Sequence, residues 1–210
     1  MDPVSPKLVL VDPELASSAD EPATRGPFRV AFVCTGNRFR SALAEAAFRA
    51  ATAGLPLEVS SFGILDLGSL GPLPQALEAA EAFGLEISSH VARPLAGADL
   101  AEMSLVVGFE AHHADAAVKL AGARAERAFL LLELVDLLDG VQPLLAPDPI
   151  ARAAGAVTRA HRRRSDEREL HARRVIPDPA ELGESDQAII GRVVCEATIW
   201  LAKRLFEPSR

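Results

Sequence analysis

The order of apolar and polar positions predicts alternating strands and helices along most of the chain. Short apolar runs, rich in β-branched and aromatic side chains, predict buried strands over 28–33, 57–62, 104–109 and 128–132. Apolar residues that recur every three or four positions predict helices over 41–53, 73–83, 111–121, 133–138 and 149–168, a short helical turn over 99–103, and a last helix capped by Ser185. This alternation favours an α/β fold with a parallel sheet and helices on both of its faces.

Two segments depart from this alternation. Prolines and acidic residues interrupt residues 1–26, which predicts a flexible N-terminal extension. Residues 140–174 are punctuated by prolines and then become rich in arginine, which predicts an atypical helical insertion within a domain of residues 27–206. We expect the run Arg162–Arg164 to be a solvated helix face. The alternative is a basic rim that attracts acidic phosphopeptides.

Composition narrows the possible classes of protein. The chain has 210 residues, of which 49% are hydrophobic, so it is large enough for a substantial core. Its net charge of −7 argues against nucleic-acid binding, and none of its apolar runs predicts membrane insertion. The two cysteines, Cys34 and Cys195, cannot form a disulfide framework, which favours a cytoplasmic location. Cys195 lies on the apolar side of the last helix, so we expect it in the core.

The first predicted strand leads into the main candidate site. Cys34 ends this strand, and Arg40 opens the next helix after a loop that contains Gly36 and Asn37. Backbone N–H groups of such a loop converge on an anion, and the helix N-terminus adds partial positive charge that also favours a thiolate. Arginine can hold two phosphate oxygens at once. This pattern suggests a cysteine-dependent phosphatase, although a buried structural cysteine would fit the spacing alone.

Four stretches together make the pattern more specific. They are Cys34-Thr-Gly-Asn-Arg-Phe-Arg-Ser41 with Ala44-Glu45-Ala46 behind it, Val59-x-Ser61-x-Gly63, Gly84-Leu-Glu-Ile-Ser-Ser-His90-x-Ala-Arg93, and Asp178-Pro179. In this order they resemble the low-molecular-weight protein tyrosine phosphatase family. The resemblance implies a three-layer α/β/α fold, a four-stranded parallel sheet in the order 2-1-3-4, and a phosphate-binding loop after the first strand.

The resemblance also implies a role for each site residue. Cys34 would be the nucleophile, Arg40 the phosphate ligand and Asp178 the general acid, with no metal and no cofactor. Ser41 would stabilise the thiolate. The residues that would complete or support a loop holding phosphate or sulfate are Thr35, Gly36, Asn37, Arg38, Phe39, Ser61 and His90. A competing Asp-Pro pair begins at Asp148, which we expect to cap a helix instead.

Some positions depart from the family's pattern. Phe39 replaces a frequent second cysteine, Arg38 replaces an apolar residue, and Ala180 and Glu181 replace aromatic residues that often stack on the substrate ring. The expected substrate is a phosphotyrosine-containing protein or a small aryl phosphate, although the missing aromatic residues weaken the expected preference for phosphotyrosine. Two alternatives remain open: a phosphate or phosphoprotein binder without catalysis, and an arsenate reductase, which would need further cysteines. The adjacent pair His112-His113 is predicted to lie on exposed helix surface.

Overall fold

The computed structural model describes residues 26–140, 146, 148–166 and 174–207. Four parallel strands form one sheet in the order β2-β1-β3-β4. They are β1 (Phe28–Cys34), β2 (Leu57–Gly63), β3 (Leu105–Gly108) and β4 (Ala128–Leu130). The α/β/α fold and the strand order predicted from the resemblance are confirmed. The predicted N-terminal extension, apart from Gly26, lies outside the described residues.

Helices cover both faces of this sheet. They are α1 (Arg40–Ala51), α2 (Pro74–Ala82), α3 (Ala111–Ala121), α4 (Leu131–Leu138), α5 (Pro149–Asp166) and α6 (Glu184–Phe206), with single 3₁₀ turns at Ala125–Arg127 and Pro179–Glu181. Alternate strand residues enter two cores, a small one beneath α3 and a large one on the opposite face. Phe48 in the large core contacts the rings of Phe32 and Phe206, at centroid distances of 5.6 and 6.1 Å. Burying one such ring stabilises the fold by about 2–3 kcal/mol.

One predicted helix feature is wrong, and the short segment 99–103 is a single turn. In this turn the Met103 N–H donates to the Leu100 carbonyl over 3.2 Å, and the Asp99 carboxylate accepts a hydrogen bond from the Ala101 N–H. The prediction that Ser185 caps the last helix is wrong. Helix α6 begins at Glu184 with Gly183 at the N-cap, so Ser185 is already helical. Glu184 and Asp186 place negative charge in the first turn, where the helix dipole favours it.

The arginine run on α5 is a second correction. Arg164 is 18% exposed, lies 3.8 Å from the centroid of the Phe129 ring, and forms an ion pair of 2.8 Å with Glu133. Arg163 donates to the Leu137 carbonyl over 2.7 Å. These groups attach α5 to α4 and β4, so the prediction of a purely solvated face is wrong for them.

None of the described helices combines the length and apolarity needed to cross a bilayer. Both cysteines are unpaired and buried, and Cys195 lies in the large core as predicted.

Candidate active site

The loop between β1 and α1 is held in a strained shape by the end of β2. Asn37 is the one non-glycine residue with a positive φ among those described, at 53°. The N–H groups of Ile64 and Leu65 donate to the carbonyls of Cys34 and Thr35, each over 2.9 Å. Gly63 touches the loop so closely that a Cβ there would lie 2.9 Å from the Asn37 nitrogen. The loop is therefore shaped before any ligand arrives.

Gly63→Ala should consequently destabilise the protein by about 2 kcal/mol, since overpacking against rigid backbone typically costs 1–3 kcal/mol. Gly71→Ala is the matched control, because a Cβ at Gly71 would meet nothing within 4 Å. Urea unfolding of both variants measures the difference in free energy of unfolding. Equal stability of the two variants would contradict the close contact at Gly63.

The thiol of Cys34 lies at the floor of the loop with two hydrogen-bond partners. Its Sγ atom is 2.9 Å from the Ser41 Oγ and accepts from the Asn37 N–H over 3.2 Å. The Ser41 hydroxyl also accepts from Asn37 Nδ2 over 2.8 Å, so its own hydrogen is available to the sulfur. Two hydrogen-bond donors therefore point at the sulfur.

Asn37 joins the loop to two other elements. Its Nδ2 donates to the Ser61 Oγ on β2, and its Oδ1 accepts from the Arg93 N–H, each over 2.8 Å. The Nε2 atom of His90 lies 2.8 Å from the Asn37 carbonyl. A carbonyl can only accept, so this imidazole nitrogen carries the hydrogen. Ser61 and His90 thus both contact the residue that they were expected to support.

Glu45 extends this network and was not among the predicted site residues. Its Oε2 accepts from the Ser61 hydroxyl over 2.6 Å and from Arg93 over 2.9 Å. The signal for it in the sequence was its place in the Ala44-Glu45-Ala46 stretch that follows the loop.

Arg40 is 1% exposed and has four hydrogen-bond partners among the described residues. One terminal nitrogen (NH1) donates to Glu110 Oε1 over 2.5 Å and to the Ile176 carbonyl over 2.8 Å. The other (NH2) donates to Asp178 Oδ2 over 2.5 Å and to Thr35 Oγ1 over 3.0 Å. Glu110 was missed from the sequence, where its only signal was an acidic side chain just after a strand, at the sheet edge where ligands bind.

Asp178 faces Arg40 as a carboxylate. Burial raises its pKa, but hydrogen bonds from the Thr35 hydroxyl and the Ala180 N–H, with the positive charge of Arg40, lower the pKa of Asp178 overall. The stability that its ionisation contributes is present above its unfolded-state pKa and is lost as the pH falls through the lowered value. The competing Asp148 accepts from the Ile150 and Ala151 N–H groups and caps α5, as expected.

His113 is fully buried, so the prediction of exposed surface is wrong for it, whereas His112 is exposed. Burial first, then the charge of Arg40, lowers the pKa of His113 to about 3. Its Nδ1 accepts from the Glu110 N–H, and its Nε2 contacts the Thr35 Oγ1, each over 3.1 Å. One possible metal-ligand atom from each of Glu110, His112 and His113 lies within 4.8 Å of the other two. Glu110 and both nitrogens of His113 are already engaged, so we assign no metal there.

A cavity of about 220 Å³ opens above Cys34. Besides residues of the loop, it is lined by Leu65, Leu67, Leu73, Asp178 and Ala180. Arg38 at the rim donates to the Gly71 carbonyl over 2.7 Å. Phe39 is 4% exposed and would touch a Cβ at Gly191 of α6. A larger cavity of about 340 Å³ lies between α2 and α6 and is not lined by either cysteine.

Comparison with known proteins identifies the family. The model of low molecular weight phosphotyrosine protein phosphatases matches residues 29–154, more than half of the chain. The chain belongs to this family. A phosphatase of the family from Streptomyces coelicolor, described as a low molecular weight protein-tyrosine-phosphatase, is 35% identical over 130 residues, which is 58% of this chain and 77% of that protein.

Solved structures share the fold of the family. The tyrosine phosphatase Wzb from Escherichia coli K30, in complex with sulphate, has a TM-score of 0.60 and 18% identity, and the match covers 85% of this chain and 98% of Wzb. A YwlE mutant from Bacillus subtilis has a TM-score of 0.59 and 22% identity over 85% of this chain and 98% of its own. Another structure describes YwlE as an arginine phosphatase whose mutant carries a phosphorylated active-site serine.

Proposed function

We propose that this chain hydrolyses phosphomonoesters through a cysteinyl-phosphate intermediate, with Cys34, Arg40 and Asp178 as its catalytic residues. The observation that carries the proposal is one cavity that holds a hydrogen-bonded thiol, a buried guanidinium and a carboxylate. Family membership supports the same chemistry.

The first half-reaction forms a bond between the Cys34 sulfur and phosphorus while the bond from phosphorus to the ester oxygen breaks. Loop N–H groups and Arg40 stabilise the charge on the equatorial oxygens, where most of the catalysis of phosphoryl transfer arises. Protonated Asp178 donates its proton to the leaving oxygen. Ser41 stabilises the sulfur both as nucleophile and as leaving group.

The second half-reaction restores the thiolate. A water molecule attacks the phosphorus of the cysteinyl phosphate, and Asp178 accepts one of its protons. The bond between sulfur and phosphorus breaks, and inorganic phosphate leaves. Arg40 and the loop supply the positive field throughout, so these steps require no metal.

Because Arg40 contacts Asp178 in the free protein, substrate binding also affects the general acid. Arg40 and Asp178 both line the cavity, so an incoming phosphate competes with the carboxylate for the guanidinium. Binding of a dianion beside Asp178 favours its protonated form, because like charges repel. The phosphate group therefore releases the acid and helps to protonate it.

The experiment that tests the proposal is quenched turnover of p-nitrophenyl phosphate in buffer with EDTA. We expect metal-independent release of p-nitrophenol and an intermediate with one added phosphoryl group, mapped by mass spectrometry to the Cys34 peptide. The Cys195 peptide is the internal control, since burial raises the pKa of that thiol to about 12. Phosphate binding without turnover would favour the non-catalytic binder. Arsenate-dependent consumption of thiols would favour the reductase.

The side chains that line the cavity indicate which class of phosphate ester it can bind. Leu65, Leu67, Leu73 and Ala180 are among its lining residues, and Ala180 stands at a position where the family often carries an aromatic ring. Aliphatic side chains bury an aromatic leaving group without the preferred geometry of a ring pair. We propose a phosphotyrosine-like aryl phosphate as the substrate, held with little ring stacking.

Ala180→Tyr should therefore lower KM for p-nitrophenyl phosphate about 5-fold, because an aromatic pair adds about 1 kcal/mol. The KM for an alkyl phosphate should change much less. Steady-state kinetics on both esters, and on a phosphoarginine peptide because YwlE is described as an arginine phosphatase, measure the preference. Ala50→Tyr, on an exposed position of α1, is the control. An equal gain for the aryl and alkyl esters would refute the stacking argument.

A cytoplasmic location is the remaining part of the proposal. The nucleophile must stay reduced, and both cysteines are unpaired in the structure. A reducing compartment would preserve such a thiol.

A further inference from the structure

A chain of hydrogen bonds connects the buried His113 with Asp178, and the reaction steps given above leave His113 without a task. The Glu110 N–H donates to His113 Nδ1, and His113 Nε2 contacts Thr35 Oγ1. Thr35 Oγ1 and the Asp178 carboxylate then share the NH2 atom of Arg40, over 3.0 and 2.5 Å. Hydrogen bonding by the Thr35 hydroxyl is also among the causes that lower the pKa of Asp178. We propose that His113 is a positioning residue that orients the Thr35 hydroxyl toward Asp178 and so holds the acid against Arg40 in the free enzyme. This inference rests on the proposed function of Asp178.

The tautomer of His113 follows from its partners. The Glu110 N–H can only donate, so His113 Nδ1 accepts and carries no hydrogen. The ring is neutral, because it is buried and lies beside the Arg40 cation. A neutral imidazole with a bare Nδ1 carries its hydrogen on Nε2. His113 therefore donates to Thr35 Oγ1.

The direction of the Thr35 hydroxyl follows in turn. Its oxygen has two acceptor positions, and His113 Nε2 and Arg40 NH2 donate to them over 3.1 and 3.0 Å. The hydroxyl hydrogen is then available to an acceptor, and the Asp178 carboxylate lies beside it, since both residues share Arg40 NH2. If the Nε2 of His113 were bare instead, the hydroxyl could turn toward the imidazole and leave Asp178 with one donor fewer.

The charged and titratable groups around His113 come from three elements. Arg40 opens α1, Glu110 and His112 flank the start of α3, and Asp178 follows the extended segment before α6. Gly108 on β3 leaves room for the ring, since a Cβ there would lie 3.0 Å from the Cβ of His113. The imidazole is thus fixed from the sheet side as well as by its two hydrogen bonds.

The first arm of the test is independent of turnover. Nitrogen-15 NMR of the wild-type imidazoles reports both the tautomer and the charge of each ring. We expect one histidine to keep a hydrogen on Nε2 and a bare Nδ1 from pH 8 to pH 5, with His113→Asn assigning the signal. A hydrogen on Nδ1, or titration near the ordinary pKa of histidine, would overturn the proposal even if the enzyme is active.

The second arm is kinetic and uses a matched pair of substitutions. His113→Asn keeps an acceptor for the Glu110 N–H but cannot reach Thr35, whereas His113→Gln places an amide near the former Nε2. The basic limb of the pH profile of kcat/KM reports Asp178, which must be protonated to act. Thr35→Val should move this limb up by about one pH unit, because a hydrogen bond to a carboxylate is lost.

His113→Asn should move the basic limb in the same direction, and His113→Gln should leave it near the wild-type position. Adding His113→Asn to Thr35→Val should produce no further shift, because the hydroxyl through which His113 acts is gone. His112→Asn, on the exposed neighbour, is the control. Equal shifts from the Asn and Gln variants, or additive shifts in the double variant, would overturn the proposal. Absence of turnover in the wild type would instead contradict the proposed function.

Discussion

Cys34→Ser is expected to lower kcat/KM by on the order of 10⁵-fold, because loss of the nucleophile removes the covalent route. A serine hydroxyl is a far weaker nucleophile in this position, since none of its described neighbours is an unengaged base. The Arg40 network and the loop remain, so inorganic phosphate should still bind as a competitive ligand to the folded variant. Initial rates with p-nitrophenyl phosphate and phosphate titration by calorimetry measure the two properties separately.

Cys195→Ala is the control for this result. Cys195 is fully buried on α6 and is not among the residues that line the cavity above Cys34. We expect its replacement to retain wild-type kcat, with a modest loss of stability from the smaller side chain. Comparable loss of activity in the two variants, or appreciable turnover by Cys34→Ser, would refute the assignment of the nucleophile.

Asp178→Asn is expected to weaken catalysis while it strengthens phosphate binding. Loss of the general acid should lower kcat for an alkyl ester about 10³-fold, and less for p-nitrophenyl phosphate, whose leaving group needs little protonation. The same change removes the carboxylate that competes with phosphate for Arg40. The dissociation constant of inorganic phosphate should therefore fall, by roughly tenfold for about 1.4 kcal/mol of relieved repulsion.

The pH dependence gives this variant a further signature. The lowered pKa of Asp178 means that kcat/KM of the wild type falls as the pH rises above that value, so the optimum is acidic. This basic limb should disappear in Asp178→Asn. Asp148→Asn is the control, because that residue caps α5. Weaker phosphate binding by Asp178→Asn, or a retained basic limb, would contradict the exchange at Arg40.

The parts of the fold that the sequence predicted well are those encoded locally. Cys34, Asn37 and Arg40 belong to one short loop between a strand and a helix, so their closeness in the sequence is enough to bring them together. The strand order needed the resemblance, because parallel pairing is a long-range property. Helix α3 was predicted with its observed bounds, since its apolar period and its terminal Gly122 are both local signals.

The missed residues depend on contacts across the chain. Glu110 and the Ile176 carbonyl reach Arg40 from 70 and 136 positions away. His113 looked like helix surface because its neighbour His112 is exposed, and periodicity could not show that Thr35 would face its ring. Arg164 looked solvated for a similar reason, since the ring of Phe129 and the carboxylate of Glu133 meet it only in the folded state.

The Arg40 guanidinium also ties activity to the order in which the protein unfolds. Two of its four described hydrogen-bond partners, Ile176 and Asp178, lie on an extended segment. Its one described backbone hydrogen bond near the sheet runs from the Ile176 N–H to the carbonyl of Phe109, the residue after β3. Segments with so few attachments open at a lower free energy than a packed sheet. As temperature rises, this segment should separate first, and activity should fade while the sheet is still intact. Activity therefore reports the stability of this one segment, and circular dichroism reports that of the whole domain.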